Sequence, residues 1–224
     1  LGKTRRDREQ QRLKGSTLPF EEWVEFIRVD MSDIDWDSNR EDLLRRITKF
    51  FRSSGDLTGT YTEDQLNTLL WKFVGETGFF QVLFDNSLSL EQRLECIASM
   101  KCIYTSLFEQ HCTRIMSNGL LDHPMGTSPL NSICYMWWDI FPHWGAPGKP
   151  ELRDVDRALL ALLSEILSIK HEACQESALH GLGHWHRNYP GETEKIIDLF
   201  ISSNQAIPVV LKDYAMAARC GCIN

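Results

Sequence analysis

The chain has 224 residues and a mass of 25.9 kDa, with 24 Lys and Arg against 31 Asp and Glu, a net charge of −7. That length suits one large domain or two small ones; 42% hydrophobic with 25% charged residues are globular proportions, and 14 Gly with 8 Pro exclude a collagen-like or linker-dominated chain. Residues 1–14 carry +4 and the remaining 210 carry −11, an acidic body that disfavours binding to nucleic acid.

Residues 1–16 read as a basic flexible arm, and 17–224 as a single all-α domain with a candidate subdomain break near 142–150. Leucine outnumbers valine by 27 to 7, which favours helix over strand. Pro19 opens an amphipathic stripe of Phe20, Trp23, Val24 and Ile27. Ser38 and Glu41 have capping-box spacing ahead of Leu43, Leu44, Ile47, Phe50 and Phe51. Thr62 and Gln65 repeat that spacing ahead of Leu66, Leu69, Leu70, Phe73 and Val74. Residues 79–84 form a short apolar piece that reads as helix, with a strand as the alternative. Ser89 caps the longest pattern, Leu90 to about Ser117, and a loop follows over 118–129. Ile133, Met136, Trp137, Ile140 and Phe141 give another stripe, ended by Pro142. Residues 142–150 hold three Pro and two Gly, the clearest linker signal.

Four more helix patterns follow: 155–167, 173–185, 192–203, and one from Val210 to Ala218 opened by Pro208. No segment sustains period-2 alternation, so the chain reads as about nine helices joined mainly by short turns. No apolar run approaches the ~18 residues of a membrane span. The seven cysteines (96, 102, 112, 134, 174, 220, 222) are odd in number and sit mostly in apolar helical patterns, so we expect reduced thiols and a cytoplasmic location. No signal peptide is apparent; the first residue is Leu1 instead of Met, which leaves room for an upstream piece.

An internal repeat lies in the last third. ESALHGLGH at 176–184 and DYAMAARCG at 213–221 align at an offset of 37, matching Ala178 with Ala215 and Gly181 with Ala218. Each follows an apolar helix, and small residues at these positions let helix backbones approach closely. With HEACQESALHGLGHWH at 171–186, residues 150–222 resemble a HEAT-type α-helical repeat. They lack the Arg and Asp ladder such repeats often carry, and the earlier helices fit the period poorly. The resemblance implies an α-α superhelix of stacked antiparallel helix pairs, with irregular N-terminal helices before it and a concave face offered to a partner.

Three constellations bear on chemistry. His180 and His184, four residues apart, share one helix face as a two-ligand metal clamp. Residue 181 is Gly, so the zinc-protease H-E-x-x-H motif is absent. Cys174 is a poorly placed third ligand, and His143 or Asp139 would have to come from another element. Asp33, Asp35 and Asp37 match the start of a calcium loop, but Ser38 and Leu44 replace its Gly and Glu, so a solvated loop is the simpler reading. Trp137, Trp138, His143 and Trp144 crowd one segment. Successive helical residues diverge by ~100°, so one of Trp137 and Trp138 is expected at an edge or interface.

These features lead to a non-catalytic, helical-repeat-like scaffold that recognises a protein or basic peptide through Trp137, Trp138, Trp144 and His143, with no cofactor. The alternative is a metal-dependent enzyme holding zinc or another divalent transition ion on His180 and His184.

Overall fold

The computed structural model describes residues 18–29, 39–75, 77–117, 126–204 and 206–223. The basic arm and the Asp33–Asp35–Asp37 run lie outside the described residues. Among those described there is no strand and no helix long and apolar enough to cross a membrane. All seven cysteines are free thiols.

The principal helices are α1 (Phe20–Val29), α2 (Arg40–Arg52), α3 (Glu63–Gly75), α4 (Leu90–Ser99), α5 (Leu130–Ile140), α6 (Arg153–Leu167), α7 (Glu172–His186), α8 (Pro190–Ser203) and α9 (Val209–Arg219). Their ends are set by local chemistry. The expected box at the start of α3 is reciprocal: the Gln65 N–H donates to Thr62 Oγ1 at 3.3 Å and the Thr62 N–H donates to Gln65 Oε1 at 2.9 Å. Thr62→Ala should therefore cost about 1 kcal/mol, read as a lower urea midpoint at unchanged slope. At α2 the cap falls one residue later than the spacing suggests, because the Asn39 side chain accepts from the Asp42 N–H at 3.0 Å.

The pattern that began at Leu90 does not run straight to Ser117. It loosens at Met100 and continues through Lys101–Ile103, a π-helical turn Tyr104–Phe108 and a last turn Glu109–His111. In that wide turn the Tyr104 hydroxyl meets Ser177 Oγ of α7 at 2.9 Å. Residues 77–84 are helical, as a turn Thr77–Phe80 followed by a 3₁₀ turn Gln81–Phe84.

Alternate helices lie side by side. α1 packs on α3, α3 on α5, α5 on α7 and α7 on α9, while α2 packs on α4, α4 on α6 and α6 on α8. Contacts of α6 with α7, α7 with α8 and α8 with α9 join the two rows. Aromatic rings knit the first half together: Trp23 meets Phe79, Phe79 meets Phe73, Phe73 meets Phe51, and Phe51 meets Trp137, at centroid distances from 5.3 to 6.2 Å.

α7 is enclosed by α5, α6, α8 and α9, so it has no dry and wet face. Its polar Gln175, Glu176, Ser177 and His180 are buried along with Ala173, Ala178 and Leu182. Each of those polar groups needs a partner. Gln175 Nε2 donates to the Leu167 carbonyl, Glu176 Oε2 accepts from the Ser117 N–H, and Ser177 Oγ donates to the Cys134 carbonyl. His180 is treated below.

Both tryptophans of α5 are fully buried, which corrects the expectation that one would reach an edge. The helix has neighbours on two sides. Trp137 packs on Phe51 and Phe108, while Trp138 packs on Phe141 and against the backbone at Gly181. Two directions ~100° apart are thus both interior.

Candidate metal centre

Two helical pairs with four-residue spacing face each other where α5 leaves the core. Tyr135 and Asp139 project from α5; His180 and His184 project from α7. His184 Nε2 lies 3.0 Å from Asp139 Oδ1 and 3.2 Å from His180 Nε2, and His180 Nε2 lies 3.8 Å from the same carboxylate oxygen. Among the described residues, this is the group of three His, Cys, Asp or Glu side chains whose ligand atoms all fall within 4.8 Å of one another. A divalent ion with bonds of ~2.1 Å sets neighbouring donors ~3.0–3.4 Å apart. Two of the three spacings meet that range. The third needs only a turn of Asp139, whose side chain is 38% exposed.

Asp139 sits in the last turn of α5, which has no basic side chain there. The helix dipole disfavours a carboxylate at that end, and a cation alongside offsets the cost. Burial, reinforced by the adjacent His184, pushes the His180 imidazole down to about 4, against the pull of Asp139. Burial also lowers His184, again opposed by Asp139. Both rings are therefore neutral near pH 7, the form that coordinates metals.

On the other edge of the His180 ring, Nδ1 meets the Tyr214 hydroxyl of α9 at 2.7 Å, and the Tyr214 hydroxyl donates to the Tyr135 hydroxyl at 3.5 Å. The Tyr135 ring packs against His180 with centroids 4.6 Å apart.

Trp144 covers His184, its ring stacked 16° from parallel at a centroid distance of 4.8 Å. Its indole N–H donates to the Trp138 carbonyl at 2.9 Å, one of the acceptors freed at the end of α5. Trp144 is 40% exposed, so the centre lies at an accessible edge.

The loop that delivers Trp144 is tied to Asp156, in the first turns of α6. Asp156 takes His143 Nε2–H on Oδ1, and the Ala146 N–H at 2.8 Å and the Tyr189 hydroxyl at 2.7 Å on Oδ2. Burial alone would raise this carboxyl, but the three donors outweigh it and hold it below its usual value. Gly145 has φ +90°, and a Cβ there would lie 2.7 Å from the Tyr189 ring, so a glycine is required.

The other sequence candidates fall elsewhere. Cys174 does not join the histidines. It lies beside Cys134 and His171, and contact with Cys134, then His171, lowers its thiol to about 7 despite burial. His171 Nε2 bonds the Cys112 carbonyl at 3.1 Å. His143 is committed to Asp156. Of the four residues expected at a partner contact, Trp144 alone presents its ring at the surface. Tyr214 and Tyr135 were not singled out by the sequence, because Tyr214 falls in the apolar stripe Leu211, Tyr214, Ala215, Ala218 and reads as core.

Comparison of the chain with protein-family models, with curated proteins and with solved structures gives no match.

Proposed function

We propose that this protein holds a divalent transition metal, zinc or iron(II) by donor chemistry, on Asp139, His180 and His184, and that its activity is metal-dependent chemistry at that edge. One observation carries the reading: three donors from two helices converge with spacings of 3.0, 3.2 and 3.8 Å. Two histidines and one carboxylate leave coordination positions open, the arrangement of catalytic rather than structural sites. A divalent ion there would polarise a substrate oxygen or activate a water at those positions. The stacked helix pairs, including the HEAT-type resemblance of residues 150–222, serve in this reading as the rigid frame that sets α5 against α7. It takes precedence over a non-catalytic partner-binding module because Trp137 and Trp138 lie in the interior.

The test is a titration of chelator-stripped protein with Co2+, read by visible absorption, and with Zn2+ in competition. One ion per chain is expected. Asp139→Ala should weaken affinity on the order of 100-fold or more, beyond the 10–100-fold typical of losing an outer partner. Its half-exposed position keeps the fold intact, which circular dichroism checks. His111→Ala, remote from the site, should bind as the parent does. Failure of Co2+, Zn2+, Fe2+ and Mn2+ all to bind, or equal binding by Asp139→Ala, would overturn the proposal.

A further inference from the structure

The phenol behind His180 has a task that its place in an apolar stripe conceals. Tyr214 is almost fully buried on α9, and a buried hydroxyl needs a partner. Its oxygen lies 2.7 Å from His180 Nδ1 and 3.5 Å from the Tyr135 hydroxyl. The two ring nitrogens of an imidazole point in opposite directions, so Tyr214 cannot itself reach an ion on Nε2. The phenol has one proton to give. Spent on Tyr135, it leaves the Tyr214 oxygen as an acceptor for His180 Nδ1–H. A neutral imidazole with hydrogen on Nδ1 has a bare lone pair on Nε2. That lone pair points into the space shared with His184 Nε2 and Asp139 Oδ1.

We infer that Tyr214 is the positioning residue of the centre: by accepting the Nδ1 hydrogen of His180 it fixes the ring's tautomer and orientation, and Tyr135 fixes the direction of the Tyr214 hydroxyl in turn. This rests on the metal reading above and deepens it. Metal-bound histidines commonly hand their second N–H to an outer oxygen acceptor, and here α9, the last helix of its row, supplies that acceptor to a ligand on α7. The stacking of α7 on α9 thereby becomes part of the site's chemistry.

The experiment uses the full chain as wild type, Tyr214→Phe and Tyr135→Phe. Each substitution deletes one oxygen and keeps the ring, and thermal melts check that the fold persists. Two readouts are taken: Co2+ affinity by visible titration, and the His180 tautomer in the metal-free protein by long-range proton–nitrogen NMR of the ring. The wild type should show hydrogen on Nδ1. Tyr214→Phe should lose that single tautomer and bind Co2+ about 10–100-fold more weakly. Tyr135→Phe should keep the Nδ1 tautomer and lose less than about tenfold, since it only orients the Tyr214 proton. If the wild type binds Co2+ and Tyr214→Phe binds equally with an unchanged tautomer, the role of Tyr214 is overturned and the metal centre stands. If the wild type binds none of Co2+, Zn2+, Fe2+ and Mn2+, the metal centre falls and this inference with it. If Tyr214→Phe melts as the wild type does yet shifts both readouts, a merely structural role is ruled out.

Discussion

Asp156→Ala should lower the free energy of unfolding by about 3–5 kcal/mol, the range for removing one partner from a buried charged network. The carboxylate is fully buried and receives hydrogen bonds from His143, the Ala146 backbone and Tyr189. Alanine leaves all three donors facing a cavity. The effect has a pH signature. The folded carboxyl titrates below its ordinary value, so its contribution is complete above the unfolded value of ~3.9 and fades as pH falls through the lower folded value. The gap between wild type and Asp156→Ala in urea unfolding should therefore be constant from pH 7 to about 5 and narrow in more acid solution. A gap under about 1 kcal/mol at pH 7, well short of that buried-pair range, would show that the network does not hold the fold, and one that persists undiminished at pH 3 would show that the ionised carboxylate is not what the network stabilises. The same substitution should free the segment carrying Trp144 and expose its indole to acrylamide.

The sequence exposes what is local and hides what depends on which helix meets which. The Thr62–Gln65 box and the Phe20–Trp23–Val24–Ile27 stripe involve residues three or four apart, and both appear in the structure as the spacing implies. The His180–His184 pair is legible for the same reason. Asp139 is a plausible third donor by type, yet nothing within one turn of it says that α5 lies against α7. Trp137 and Trp138 show the opposite failure. Divergence of successive residues is a sound rule for a helix with one wet face, and α5 is enclosed on both of the relevant sides. α7 loses its stripe because neighbours surround it, so Gln175, Glu176, Ser177 and His180 fall inside. The π turn at Tyr104–Phe108 left no mark in the apolar pattern, which carries on past it.

Gly181 ties the stability of this core to the geometry of the proposed centre. A Cβ there would lie 2.7 Å from Trp138 Cγ, 2.9 Å from Trp138 Cβ and 2.9 Å from Leu163 Cδ2. The first two atoms belong to the stem of a fully buried tryptophan and cannot swing aside without moving α5. On an open helix surface, Gly→Ala gains up to about 1 kcal/mol from helix propensity. Gly181→Ala should instead lose about 1–3 kcal/mol net, as overpacking outweighs that gain. Gly191→Ala is the matched control. It lies at the start of α8 with nothing within 4 Å of the added carbon, and should be neutral or stabilising by up to about 1 kcal/mol. The two substitutions make the same chemical change in helices of one protein, so the sign difference isolates the contact. Because Gly181 follows His180 directly and presses on the residue before Asp139, pushing α5 from α7 also spreads the three donors. Gly181→Ala should therefore weaken Co2+ binding, while Gly191→Ala leaves it unchanged. Were Gly181→Ala to stabilise the fold as Gly191→Ala does, the close approach of α5 to α7 would be refuted, and with it the frame on which the centre is built.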